Sequence, residues 1–179
     1  MSAIEAPVLM APQAITSDWT ALPSWLPLPG MGTIAINSFL LKGSEPMLVD
    51  TGFGGFGEAF IETLESQIDP EDIRWVWMSH MDPDHVGNLT RVLDRAPRAK
   101  VVTTFLGMGK MGLLGLDLSR VHLLEPGAAF EVGGRRLAPI RPPYYDAPET
   151  TGFIDESERV FFAGEAVAGP YVALCGGAY

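Results

Sequence analysis

Two imidazoles and two carboxylates fall within six residues of this chain, inside the stretch 79–88, which is Ser-His-Met-Asp-Pro-Asp-His-Val-Gly-Asn. The stretch follows Ile73–Met78, a mostly apolar run that is typical of a strand covered on both faces. Loops at the carboxyl ends of such strands are where α/β proteins place their ligands. We therefore expect four side chains of this loop to bind metal: His80, Asp82, Asp84 and His85.

The segments around this loop predict an α/β architecture. Residues 33–41 and 47–49 are apolar runs joined by a polar turn, which indicates a hairpin. Apolar residues at helical spacing predict a helix over 58–68, and a shorter helix is expected over 87–93. Residues 100–103 are again strand-like. Strands joined through helices by short connections pair in parallel, so a layered α/β domain follows.

The second half of the chain has a different pattern. Turn signals separate several short β runs, which predicts a meander of antiparallel strands. Together with the first half this predicts two sheets with helices outside, in a single domain over residues 1–179. Residues 1–32, which are Pro-rich from residue 11 onward, are expected to form an irregular N-terminal segment over the core. The short β runs are 120–124, 129–132, 136–140, 151–154 and 159–162.

The charge balance excludes several classes of partner. Twelve basic and 22 acidic residues give a net charge of -10, which argues against a protein that binds nucleic acid or an anionic membrane surface.

The single Cys175 excludes an intrachain disulfide and any all-Cys metal site. The chain starts without the basic and apolar regions of a signal peptide, and it has no uninterrupted apolar run of about 20 residues. We expect a soluble, cytoplasmic protein.

The stretch 79–88, called the metal loop below, resembles a known sequence signature. The pattern H-x-D-x-D-H, preceded by a strand that ends in Asp50-Thr51-Gly52, is similar to the H-x-H-x-D-H loop of the metallo-β-lactamase superfamily. A carboxylate at Asp82, in place of the second His, resembles the flavodiiron proteins and the related oxygen-binding diiron domains. The resemblance runs from about Asn37 to Gly169. It implies an αββα sandwich. The family's last His would lie beyond residue 179, so the sequence leaves two alternatives: a form truncated at the C-terminus or a site that lacks this ligand.

The same resemblance implies further residues of the site. Asp146, in Asp-Ala-Pro-Glu-Thr, stands where the family has a His ligand, and Glu165, in Phe-Ala-Gly-Glu, stands where the family has a bridging Asp. Asp50 ends the preceding strand, and we expect it to accept hydrogen bonds from the metal loop and to orient the ligands. A site with two nitrogen and four carboxylate ligands suits iron or manganese better than tetrahedral zinc. The resemblance implies two iron ions, with zinc or manganese as alternatives.

Three functions are compatible with this sequence. The flavodiiron resemblance implies a non-haem di-metal protein that binds or reduces dioxygen or nitric oxide, with a separate electron-donor protein and a homodimer as candidate partners. The second function is metal-dependent hydrolysis of an ester, thioester or lactone, in which Asp84 would orient or deprotonate the attacking water. The third is a degenerate, non-catalytic domain that has kept the fold and lost the metal.

Overall fold

Two β-sheets pack face to face, and helices cover the outer side of the larger sheet. The computed structural model describes residues 6–30, 32–143, 145 and 147–164. In this part of the chain, the larger sheet has the order β1-β3-β4-β5-β6-β7-β8 with β2 also paired to β3, and the smaller has the order β12-β11-β10-β9. The strands are β1 (Val8–Leu9), β2 (Gln13–Ala14), β3 (Trp19–Leu28), β4 (Gly32–Leu41), β5 (Met47–Val49), β6 (Trp75–Trp77), β7 (Lys100–Thr103), β8 (Val121–Leu123), β9 (Phe130–Val132), β10 (Arg135–Ile140), β11 (Gly152–Asp155) and β12 (Val160–Phe162). The helices are α1 (Glu58–Glu65), α2 (Pro83–Val86), α3 (Leu89–Arg95) and α4 (Phe105–Leu113).

The centre of the larger sheet is parallel, as the sequence predicts. Strand β5 pairs in parallel with β6, β6 with β7, and β7 with β8. The carboxyl ends of these strands therefore meet at one edge of the sheet, where the predicted metal loop begins. The predicted arrangement of two packed sheets with outer helices is confirmed, and among the described residues these helices cover the larger sheet. None of the described helices is both long and apolar enough to cross a membrane.

Strand β8 corrects one expectation. The sequence placed residues 120–124 in the antiparallel meander, but β8 extends the larger sheet in parallel with β7. The physical reason is the helix between them: α4 returns the chain to the start of the sheet, so β8 runs in the same direction as β7. The other four runs do form the predicted meander, β9-β10-β11-β12.

The N-terminal segment corrects a second expectation, since residues 19–28 are not irregular. Strand β3 pairs with β4 along all ten residues, from Trp19 to Leu28. Pro23 and Pro27 are compatible with this strand because they are four residues apart, so their backbone nitrogen atoms point toward the same edge of the strand. The Pro23 carbonyl accepts a hydrogen bond from the Met10 N–H at 2.9 Å, so this side is the outer edge, which only the two short strands β1 and β2 partly cover. Proline is tolerated where a strand faces an edge.

Two apolar layers hold the fold together. One lies between the larger sheet and the helices, and the other lies between the two sheets. In the second, the Trp77 ring meets Phe153 edge-on at 4.9 Å between ring centroids, and Trp19 stacks on Phe153 at 5.7 Å. Such aromatic pairs add about 1 kcal/mol each beyond the area they bury. The end of β6 is thus fixed from both sides just before the metal loop.

Asp155 is a buried carboxylate that joins both sheets, because it contacts Trp19 of the larger sheet and Arg135 of the smaller one. Its side chain is 0% exposed and accepts hydrogen bonds from Trp19 Nε1 at 2.9 Å and from the Ser157 N–H at 2.8 Å. Arg135 Nη1 lies 3.1 Å from the same carboxylate. Burial by itself opposes ionisation, but these hydrogen bonds and the arginine hold the pKa of Asp155 below its ordinary value.

We expect Asp155→Asn to destabilise the protein at neutral pH and to matter less in acid. A carboxylate whose pKa is lowered by folding stabilises the fold above its unfolded pKa of about 3.8, and this stabilisation is lost as the pH falls through the lower folded value. Urea unfolding at pH 7 and at pH 3 measures the difference between variant and wild type. Glu156→Gln, at an exposed ion pair with Arg136, is the control and should change little at either pH. A difference that is independent of pH would contradict this assignment.

Candidate metal centre

Loops from both sheets meet at the carboxyl edge of β6. The Thr51 N–H, just after β5, donates to the His85 carbonyl at 2.7 Å. The Thr151 N–H, just before β11, donates to the Ser79 carbonyl at 2.9 Å. A Cβ placed on Gly164, which follows β12, would lie 3.9 Å from the Ser79 Cβ. Residues that are far apart in sequence are therefore brought against the start of the metal loop.

Asp50 receives hydrogen bonds from this loop. Its Oδ1 accepts from the Ser79 N–H at 2.8 Å, and its Oδ2 accepts from Ser79 Oγ at 2.6 Å. The same Oδ2 lies 3.0 Å from His85 Nδ1. Asp50 itself is 1% exposed and has a φ of 56°, a conformation that costs a non-glycine residue about 1 kcal/mol. Such strain is characteristic of sites whose geometry is fixed by the surrounding structure.

These contacts determine how the two imidazoles can act. His85 donates its Nδ1 proton to the Asp50 carboxylate when the ring is neutral, so its lone pair is on Nε2. Because Ser79 Oγ donates to Asp50, it can accept from His80 Nδ1, which lies 2.9 Å away. The lone pair of His80 is then on Nε2 as well. One buried carboxylate thus selects, directly and through Ser79, the tautomer that a metal-binding histidine needs.

The two rings lie side by side at the base of the loop. His80 is 0% exposed and His85 is 6% exposed. Their centroids are 4.0 Å apart and their planes are tilted by 48°. On the Nε2 side of His85, the Asp84 Oδ2 lies 3.7 Å from this nitrogen. Asp82 is the N-cap residue of α2 and is half-buried.

The predicted ligand set is only partly visible. Within the residues that the structure describes, no group of three or more His, Cys, Asp and Glu side chains is arranged to hold a metal ion. Asp146 and Glu165 lie outside the described residues. The loop residues supply two oriented imidazoles and nearby carboxylates, and this donor chemistry fits a metal site that further ligands complete. The full set of six remains a prediction.

The structure also adds residues that the sequence did not single out. Ser79 links Asp50 to His80, although a serine before a histidine carries no distinctive signal. Glu149 is 2% exposed, and its Oε1 lies 2.6 Å from Lys110 Nζ on α4. The sequence could have indicated Glu149, because it lies in the Asp-Ala-Pro-Glu-Thr segment, three residues after the predicted ligand Asp146.

Comparison with known proteins agrees with this geometry. The family model "ODP family beta lactamase" matches residues 34–173. The flavo-diiron protein FprA2 of Clostridium acetobutylicum is 31% identical over 130 residues, which are 70% of this chain and 32% of that protein. The anaerobic nitric oxide reductase flavorubredoxin of Salmonella arizonae is 25% identical over 137 residues, 75% of this chain and 29% of that protein. The chain thus spans about a third of the length of these relatives.

A solved structure supports the fold. The rubredoxin oxygen:oxidoreductase of Desulfovibrio gigas superposes with a TM-score of 0.74 at 18% identity, over 84% of this chain and 40% of that chain. The family match includes the strand before Asp50, the metal loop and the segment up to residue 173. The chain therefore belongs to the ODP family of β-lactamase-like proteins, in the flavodiiron branch of the metallo-β-lactamase superfamily.

Proposed function

We propose that this chain is a non-haem diiron domain that binds or reduces dioxygen or nitric oxide. The observation that carries the proposal is the pair of buried imidazoles, His80 and His85, whose Nδ1 atoms are both engaged, which leaves the Nε2 lone pairs to face a metal. The names of two relatives, a flavo-diiron protein and a nitric oxide reductase flavorubredoxin, indicate the same chemistry.

Six side chains would hold the two ions. A bound iron pair would supply the electrons and the coordination positions for a diatomic gas. The protein's part is to bind and orient: the His80 ring is fully buried at the base of the loop, and Asp50 fixes the His85 tautomer. Four carboxylates would neutralise two divalent cations, so that the metal-loaded site carries little net charge. The six are His80, Asp82, Asp84, His85, Asp146 and Glu165.

Turnover would also need at least one further protein as a partner. Repeated reduction of a gas consumes electrons, and we propose that a separate electron-donor protein provides them. We propose a homodimer as a further candidate assembly. Binding of the gas without turnover needs neither partner. Without an electron donor, the domain would therefore act as a gas sensor and not as a reductase.

Metal analysis tests the proposal. The protein is purified after growth with added iron, manganese and zinc, and metal per chain is measured together with the visible absorption spectrum. We expect iron or manganese to be retained in preference to zinc because four of the six proposed ligands are carboxylates. After anaerobic reduction, an iron-loaded sample should bind or consume dioxygen or nitric oxide.

The same experiment identifies the alternatives. Stoichiometric zinc with ester or lactone hydrolysis would support the hydrolase, in which Asp84 would act on the water. Absence of bound metal in protein that is folded by circular dichroism would support the degenerate domain. Either result contradicts the diiron proposal.

A further inference from the structure

We propose that Glu149 is a positioning residue of this site: its ion pair with Lys110 of α4 holds the segment 147–151 against the metal loop. The inference rests on the proposed function only for its consequence on metal binding. Its structural part concerns the described residues alone and can be tested on metal-free protein.

The burial of Glu149 is the first observation. Its side chain is 0% exposed, whereas Lys110 is 39% exposed. Lys110 Nζ lies 2.6 Å from Glu149 Oε1, which is within hydrogen-bond distance, and the described residues show no other donor to this carboxylate. A buried carboxylate with so few donors is strongly disfavoured unless an opposite charge lies beside it. The position of Glu149 therefore depends on α4.

The second observation is the route from α4 to the metal loop. The Glu149 carbonyl lies 3.5 Å from the Oγ1 of Thr104, which caps α4 by accepting from the Gly107 N–H at 3.1 Å. Two residues after Glu149, the Thr151 N–H donates to the Ser79 carbonyl at 2.9 Å. The segment is thus tied at one side to α4 and at the other to the residue before His80.

The chemical type of the residue is the third observation. Replacement of a buried ion pair by apolar side chains of similar volume is often neutral or stabilising in proteins. The ion pair therefore contributes direction more than stability, because a carboxylate must stay within reach of one lysine. Because Asp146 directly precedes this segment in the sequence, we expect a change in the segment's placement to affect that proposed ligand.

Hydrogen exchange of the metal-free protein tests the placement. We expect Glu149→Gln to raise the exchange rate of the Thr151 amide by about 10-fold, while strand β7 (Lys100–Thr103) keeps its protection. Lys110→Met should raise it further because it leaves the buried carboxylate without its counter-charge, and the double variant should exchange like Glu149→Gln. Equal exchange in wild type and all variants, or a uniform rise over the whole chain, would overturn the inference.

Cobalt(II) titration tests the consequence for the site. Glu149→Gln should weaken cobalt affinity by about 10- to 100-fold and change the cobalt absorption bands, as the loss of an outer contact does at other metal sites. Lys100→Met, at an exposed lysine on β7, should change neither. If wild type binds no cobalt but Glu149→Gln still loosens the segment, the metal function fails and the positioning stands. If wild type binds cobalt and Glu149→Gln binds it equally well, the positioning role is wrong.

Discussion

Alanine at either loop histidine, His80 or His85, is expected to weaken metal affinity by more than about 100-fold. Loss of an outer contact to a metal ligand typically costs about 10- to 100-fold, so loss of the ligand itself should cost more. Both rings are buried and their Nδ1 atoms are engaged. Another side chain or a water molecule could take the place of the lost Nε2 only if the loop rearranged. The fold should survive, because the two apolar layers are independent of these rings.

His122→Ala is the matched control. His122 is half-buried on β8, where its ring packs against Trp75 at 5.4 Å and Phe130 at 5.6 Å between centroids. Its replacement should leave the metal content per folded chain unchanged. The measurement is elemental analysis and isothermal titration with iron(II) under anaerobic conditions. Full metal retention in either loop variant, or metal loss in the His122 variant, would show that the loop is not the site.

Local sequence patterns predicted much of this architecture. The hairpin β4-β5, the helix α1 and the strand β7 were predicted because each combines apolar periodicity with clear turn residues at its ends. In these cases the information lies within about ten neighbouring residues, which is why sequence alone was sufficient. The loop 79–88 was predicted to bind metal on equally local grounds, since four ligand-type residues directly follow an apolar run, and its metal binding stays a prediction.

What sequence could not predict depends on distant contacts. The strand β3 was missed because its prolines are acceptable only on an edge, and the position of an edge is a property of the whole sheet. The direction of β8 was missed because a short β run such as 120–124 carries no signal for the direction in which the strand pairs. Glu149 and Ser79 were missed for the same reason: their importance comes from Lys110 and Asp50, which are 39 and 29 residues away along the chain.

The second large effect is expected at Gly87, which follows α2 within the metal loop. A Cβ added there would lie 2.6 Å from Gly54 Cα and 2.7 Å from the Gly52 carbonyl oxygen, and closer still to Gly54 N. These are backbone atoms, and the Gly87 N–H also donates to the Gly52 carbonyl at 3.1 Å. Since backbone cannot rotate aside as a side chain can, we expect Gly87→Ala to lower the free energy of unfolding by about 3 kcal/mol.

Gly109→Ala separates this clash from a general effect of alanine. Gly109 lies in the exposed part of α4, has no atom within 4 Å of an added Cβ, and needs no positive φ. Alanine there should stabilise the helix by up to about 1 kcal/mol. Urea unfolding of metal-free protein measures both variants. Because the Gly52–Gly54 backbone continues from Asp50, the alanine at Gly87 should also displace the carboxylate that orients His85, and metal affinity should fall with stability. A Gly87→Ala protein as stable as Gly109→Ala would mean that the two loops are not packed together as described.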